Sequence, residues 1–264
     1  MLLAALIAIG GNPWIASAGS YSEDRRCLTM PMREGQAIVW YLYHSGWAVK
    51  TKGHLLVFDY WEHGPKSPDD SLSEGFINLA AIAGLHVTVF VTHAHSDHYD
   101  PRILQWKKWV RDITYVFGWK ATDDPAHVHF VQARSYVDID RVQVWSVPHA
   151  LDGIPESAFL VRTDGLTIFH AGDHGTCKGP LDPVFKSNID YLAGLGQSID
   201  LYFTPTFGGE IYAIERLSPR TVFPMHDGGN EEQYMKFAEL AKKQRLKTTV
   251  VAAQKRGQRY MYGF

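Results

Sequence analysis

The chain has 264 residues, 45% of them hydrophobic, enough to bury a full core as one domain. Its 26 Lys and Arg against 28 Asp and Glu give a formal charge of −2 with no long basic run, which excludes a broad nucleic-acid-tracking face. The two cysteines, Cys27 and Cys177, form no C-x-x-C pair and no closely spaced zinc site, while a disulfide and two free thiols both stay open.

The first predicted element is the apolar run Leu2 to Ile9, too short for a membrane span of about 20 residues. It has the length of a signal-peptide core, and Ala16-Ser17-Ala18 supplies an A-x-A cleavage pattern before Gly19, although no Lys or Arg precedes it. This favours export, with residues 1–18 as a leader and 19–264 as one domain. The rival is a cytoplasmic protein in which the segment packs on the domain. Tyr21 to Glu34 reads as a surface lead-in. Ala37 to Tyr43, Ala48 to Lys50 and Leu55 to Tyr60 then form an antiparallel meander, turned at His44-Ser45-Gly46 and Gly53. Asn78 to Leu85 reads as a short helix.

His86 to Val91 is a run of β-branched and aromatic residues, expected as a buried strand. It ends in Thr92-His93-Ala94-His95-Ser96-Asp97-His98-Tyr99-Asp100. Three imidazoles and two carboxylates at the end of a buried strand are costly to desolvate, and a divalent metal is the usual compensation. His93 and His95 would share one direction, whereas the adjacent Asp97 and His98 cannot, so a loop offering two ligand sets, and hence two metals, is expected. Asp100-Pro101 looks like an N-cap with proline in the first turn, followed by a helix with Ile103, Leu104, Trp106, Trp109 and Val110 on its apolar face.

Short strands follow at Ile113 to Phe117, His127 to Val131, Tyr136 to Ile139 and Val142 to Val147, the last ending at His149. Ser157 to Arg162 and Leu166 to Phe169 make a hairpin around Thr163-Asp164-Gly165. His127 and His129 alternate in a strand without an acidic partner and read as structural. Asp173 closes Phe169-His170-Ala171-Gly172-Asp173, and one carboxylate there can bridge two cations. Gly175 to Pro183 reads as loop, Tyr191 to Gly196 as a short helix, and Asp200 to Pro205 as a core strand. Ala213 to Leu217 is helical, Thr221 to Phe223 a strand before His226, and Glu231 to Lys243 a helix with Tyr234, Phe237, Leu240 and Ala241 inward. The run Lys255-Arg256-Gly257-Gln258-Arg259 reads as a solvated tail.

The H-x-H-x-D-H of His93, His95, Asp97 and His98, with His149, Asp173 and His226 following in order, resembles the signature of the metallo-β-lactamase-fold hydrolases. The resemblance covers residues 37 to 252. It implies an α/β fold, a four-layer αββα sandwich of two mixed β-sheets, with metals at one edge. It also implies two Zn²⁺ per chain: one on His93, His95 and His149, the second on Asp97, His98 and His226, with Asp173 bridging. Mn²⁺ or Fe²⁺ suits the same donors. A metal-bound hydroxide would attack an ester-like bond in a small-molecule substrate, with Asp97 accepting a proton or orienting it. His44, Tyr99 and His174 would border the site as supporting or substrate contacts, and Asp59 to His63 would lie near it. In the antibiotic-hydrolysing branch the Asp173 position resembles Cys or Ser, so Asp173 points to the lactonase, thioesterase and phosphodiesterase branches. A carboxylic ester or lactone is favoured, with a phosphodiester as the alternative. A catalytically silent metal-binding member is the third reading, and retention of all seven ligand positions argues against it. Thr206-Phe207-Gly208-Gly209 departs from the sub-branch resembling L-ascorbate-6-phosphate lactonase, which expects a more polar loop.

Overall fold

The computed structural model describes residues 17–64, 71–120, 128–130, 133–151, 153–176 and 179–264. The apolar run before Ser17, His127 and Cys177 lie outside these, and with them the expectations for a leader, a cysteine pair and half of the second H-x-H.

Two mixed sheets of seven strands each carry the fold. The first holds β1 (Ala37–Tyr43), β2 (Gly46–Lys50), β3 (His54–Phe58), β4 (His86–Val91), β5 (Ile113–Phe117), β6 (Val128–Phe130) and β14 (Arg259–Tyr262), in the order β14-β1-β2-β3-β4-β5-β6. The second holds β7 (Ser135–Ile139), β8 (Val142–Leu151), β9 (Ile154–Thr163), β10 (Leu166–His170), β11 (Leu201–Pro205), β12 (Thr221–Met225) and β13 (Thr249–Val250), in the order β13 back to β7. In each sheet the strand pairs run antiparallel on one side and parallel on the other.

Alternation along the strands makes the layers. In β1, Ala37, Val39 and Tyr41 face the space between the sheets, and Ile38, Trp40 and Leu42 face the outer side of the first sheet. That outer side is covered by α1 (Ser17–Thr29) through Leu28 and by α2 (Leu79–Ile82) through Ile82. The second sheet is covered by α3 (Pro183–Gly194), α4 (Glu210–Leu217) and α5 (Glu232–Lys243), through Phe185, Ile214 and Phe237 among others. The expected αββα sandwich is therefore what forms. Phe90 joins the layers, stacking on Phe58 at 4.8 Å and meeting Phe159 of the other sheet at 5.5 Å. Truncating it to alanine would cost about 3–5 kcal/mol.

Several local expectations are corrected. The lead-in is a helix, because Leu28 and Asp24 are buried against the first sheet and the turn at Leu72, whose N–H donates to Asp24 at 2.5 Å. The segment after Asp100 is a 3₁₀ helix, Pro101–Lys108, and Trp109 leaves its register and stands 66% exposed while Val110 turns inward. Helix α3 starts at Pro183, well before Tyr191, because the Asp182 carboxylate caps Phe185 N at 2.8 Å. Leu240 lies off the buried face of α5 set by Tyr234, Phe237 and Ala241. The basic tail is no solvated end: Arg256 packs over Phe76 at 3.8 Å and donates to the carbonyls of Gly75 and His63, and Arg259 opens β14 beside β1. No helix among the described residues is long and apolar enough to cross a membrane.

Candidate metal centre

The C-terminal ends of the central strands deliver the polar residues to one edge of the sandwich. Strand β4 runs parallel between β3 and β5 and is apolar on both faces, so it emerges at Thr92 and His93 still buried. From the other sheet β10 leads into Ala171-Gly172-Asp173. Gly172 has φ 58°, and a Cβ on it would come within 2.8 Å of the Thr92 side chain, so only glycine lets the Asp173 loop close onto β4. Strand β12 ends at Met225, and His226 at φ 75° swings its ring back toward Asp173.

Asp173 is the hub. Its Oδ1 lies 3.0 Å from His226 Nε2 and 3.1 Å from His98 Nε2, and its Oδ2 lies 3.5 Å from His93 Nε2. These are hydrogen-bond distances without hydrogen-bond directions: Asp173 Oδ1, His98 Nε2 and His226 Nε2 are buried with no hydrogen-bonding partner. Two sets of donor atoms result, each with members within 4.8 Å of one another: His44, Asp97, His98 and His226, and His93, His98 and Asp173. Buried polar atoms aimed at a common point are costly alone and fit a divalent cation.

The electrostatics agree. Asp59 is fully buried, which alone would keep it neutral, yet His98 Nδ1 at 2.8 Å, Thr92 N at 2.8 Å and Thr92 Oγ1 at 2.7 Å hold its carboxyl below the usual range. Burial likewise opposes ionisation of Asp173 and Asp97. His226 and His98 overcome it at Asp173, and His44 and His98 at Asp97, so both stay anionic far below ordinary pH. Burial disfavours a charged His98, but Asp59 and Asp173 on its two nitrogens keep it protonated well above the ordinary value. Burial, with the His98 charge beside it, pushes His93 down to about 4. A cation at Nε2 of His98 would replace that proton and leave Nδ1–H on Asp59, the arrangement metal-binding histidines use.

The remaining expected residues are placed less uniformly. His95 Nδ1 lies 2.8 Å from His93 Nε2, and Asp97 Oδ2 lies 3.2 Å from His44 Nε2. His149 sits within β8, not on a loop at its end, and faces Glu156 directly across the hairpin to β9. Glu156 Oε1 is 3.2 Å from His149 Nδ1 and its Oε2 is 3.5 Å from His93 Nδ1, with Thr92 Oγ1 at 3.1 Å from the same nitrogen. Burial pushes the Glu156 carboxyl up against the pull of His149. Neither His95 nor His149 belongs to the two compact sets.

His174 is buried behind His149, rings 4.9 Å apart, and its Nε2 accepts from Asn188 Nδ2 at 3.0 Å. Burial holds His174 neutral, its pKa well below the ordinary value. Tyr99 packs edge-on against Phe117 and Trp119 at 5.5 and 5.2 Å, among the outer core of the first sheet. Glu156 and Asn188 support the cluster without having been singled out from sequence, whereas Asp59 opens the segment Asp59 to His63 expected near the site. Only Asp59 carried a signal, as the charged residue ending an apolar strand. His129 is exposed in β6 and belongs to neither set.

Comparison with known proteins follows the geometry. A metal-dependent hydrolase of Caldivirga maquilingensis is 23% identical over 70% of this chain and 80% of its own length. A metallo hydrolase from Ignicoccus hospitalis superposes with a TM-score of 0.63 at 16% identity, over 87% of this chain and 99% of the other. The metallo-β-lactamase fold protein YhfI of Bacillus subtilis gives 0.55 at 11% identity, over 86% and 100% of the two chains. At such identities the structures speak for the fold alone. The family model described as the beta-lactamase superfamily domain matches residues 38–226, and the chain therefore belongs to that superfamily, with its metallo-β-lactamase fold.

Proposed function

We propose that this metal-dependent hydrolase cleaves a carboxylic ester or lactone at a dinuclear zinc centre. The observation that carries the reading is the buried, unpartnered convergence of Asp173 Oδ1 with Nε2 of His98 and His226. On this reading Asp97, His98 and His226 would hold one cation and His93, His95 and His149 the other, with Asp173 available to both. The bound cations supply Lewis acidity to the scissile group and acidify water near neutral pH. The protein contributes orientation: Asp59 fixes the His98 ring, while Glu156 and Thr92 fix His93, and Glu156 fixes His149, by holding their Nδ1 protons. Asp97, about one-third exposed at the mouth and held anionic, would orient the attacking water.

The surroundings favour a carboxylic ester over a phosphodiester. Trp61 stands edge-on to His44 with ring centres 6.1 Å apart, and Phe207 edge-on to His226 at 5.2 Å, giving apolar walls. A cavity of about 300 Å³ opens beside His226, lined by Thr206, Phe207, Asp227, Asn230 and Gln233, with a carboxylate and no Lys or Arg among them. Apart from bound cations, an anionic phosphodiester would find no cationic side chain in that cavity. The larger clefts, under the end of α5 and beside Trp106 and Trp109, include none of the site histidines.

The test is turnover by zinc-, manganese- and iron-loaded protein on p-nitrophenyl butyrate, simple lactones, a β-lactam and bis-p-nitrophenyl phosphate. Ester or lactone hydrolysis abolished by chelation is expected. Phosphodiester turnover alone would favour the alternative substrate, and silence on all four would favour a metal-binding member without catalysis.

A further inference from the structure

His44 stands in the turn between β1 and β2, where the strand register shifts between Tyr41 and Tyr43. Tyr43 has φ 137° and His44 φ 52°, two successive non-glycine residues in the left-handed region. Such backbone persists only where its surroundings impose it, and it concentrates at functional positions. The surroundings here are explicit. His44 N donates to Tyr41 Oη at 2.9 Å, and its carbonyl accepts from His226 N at 3.2 Å. Gly228 lies so close that a Cβ on it would meet His44 N at 2.9 Å. The ring is flanked by those of His226 at 4.2 Å, His98 at 5.8 Å and Trp61 at 6.1 Å.

The Gly228 N–H donates to His44 Nδ1 at 3.2 Å. A backbone amide can only donate, so Nδ1 is the acceptor and the proton of the neutral ring sits on Nε2. That nitrogen is buried among the donor atoms of Asp97, His98 and His226, 3.2 Å from Asp97 Oδ2, close enough to favour the Asp97 anion but not aligned into a hydrogen bond with it. A ligand nitrogen must offer a lone pair, which a protonated Nε2 does not have.

We propose that His44 is a catalytic residue and not a metal ligand: its neutral ring donates an Nε2–H hydrogen bond to the substrate oxygen that gains negative charge when the ester-like carbonyl is attacked. The donor is held in place by these contacts before any substrate arrives, the preorganisation that makes such a hydrogen bond effective. The proposal rests on the hydrolase reading above, and two measurements separate them.

The first is kinetic, with p-nitrophenyl butyrate. His44→Phe keeps a ring and removes the donor, and His44→Gln returns an N–H near the Nε2 position. The Phe variant should retain the zinc content of the unmodified protein, keep KM within about threefold and lose about 100- to 1000-fold in kcat, with Gln recovering part of the loss. The second needs no turnover: ¹⁵N NMR of zinc-loaded protein should show His44 as the Nε2–H tautomer. Loss of zinc in the Phe variant, an Nε2 without its proton, or unchanged kcat would each overturn the proposal. If the unmodified protein is inactive on esters, the substrate reading fails and the NMR and zinc content still decide His44.

Discussion

Replacing Asp59 with asparagine isolates what a buried carboxylate does for a metal-binding histidine it does not itself join to the metal. Asp59 Oδ1 accepts from Thr92 N at 2.8 Å, and its Oδ2 accepts from Thr92 Oγ1 at 2.7 Å and His98 Nδ1 at 2.8 Å. If the asparagine oxygen stays on Thr92 N, the amide NH₂ faces His98 Nδ1, which must then become an acceptor, and the ring proton moves to Nε2, the atom meant for the metal. If the amide flips instead, NH₂ meets Thr92 N–H and a buried donor is orphaned at about 1–3 kcal/mol. The first outcome should weaken zinc binding about 10- to 100-fold, or about 1.4–2.7 kcal/mol. Competition against a chromophoric chelator measures it, with circular dichroism confirming the fold. Asp164→Asn is the control: Asp164 is a carboxylate held by Thr51, Gly53 and His54 away from the cluster, so it should lower stability and leave zinc affinity alone. Zinc affinity within twofold of the unmodified protein in folded Asp59→Asn would refute the reasoning.

Because His98 is held protonated without a cation, metal affinity should rise by about one decade per pH unit until pH passes its raised pKa, and a flat profile would contradict that. The same raised pKa stabilises the metal-free fold fully below the unfolded value of about 6.5, a contribution lost as pH rises through the folded value, visible as a falling Tm in chelator. Asp173→Ala should leave the fold largely intact, lower bound metal and abolish turnover, while His129→Ala does neither; full metal content in the former would unseat Asp173 as the hub. Glu156→Gln should weaken metal binding about 10- to 100-fold, read as lower metal occupancy at limiting metal. Export through residues 1–18 predicts a mature N-terminus at Gly19 by mass spectrometry of protein from its host, and an intact N-terminus on cytosolic protein would refute it.

The candidate ligands were legible because the chemistry is local and the strands are plain. An H-x-H-x-D-H after a continuous apolar run can be read without knowing what lies opposite, as can a lone His or Asp at the end of a strand. Their supports are legible only in three dimensions. Glu156 meets His149 through cross-strand register, and Asp59 meets His98 because β3 and β4 lie side by side in parallel. Asn188 reaches His174 and the Pro148 carbonyl from a helix that packs on the second sheet. None of these pairings leaves a periodic trace in the chain. Asp182-Pro183 did leave one, the same cap signature as Asp100-Pro101, and it marks the true start of α3. The C-terminal run misleads for the opposite reason: its arginines look solvated until β14 closes the first sheet against β1, a pairing between opposite ends of the chain. His44 joins both cases. Its place in a turn beside the meander was plain, but whether it binds metal or donates a proton-bearing nitrogen hangs on one backbone N–H at Gly228, 184 residues away. Residue type identifies which side chains can bind a cation, and the hydrogen bond on the far nitrogen decides which of them do.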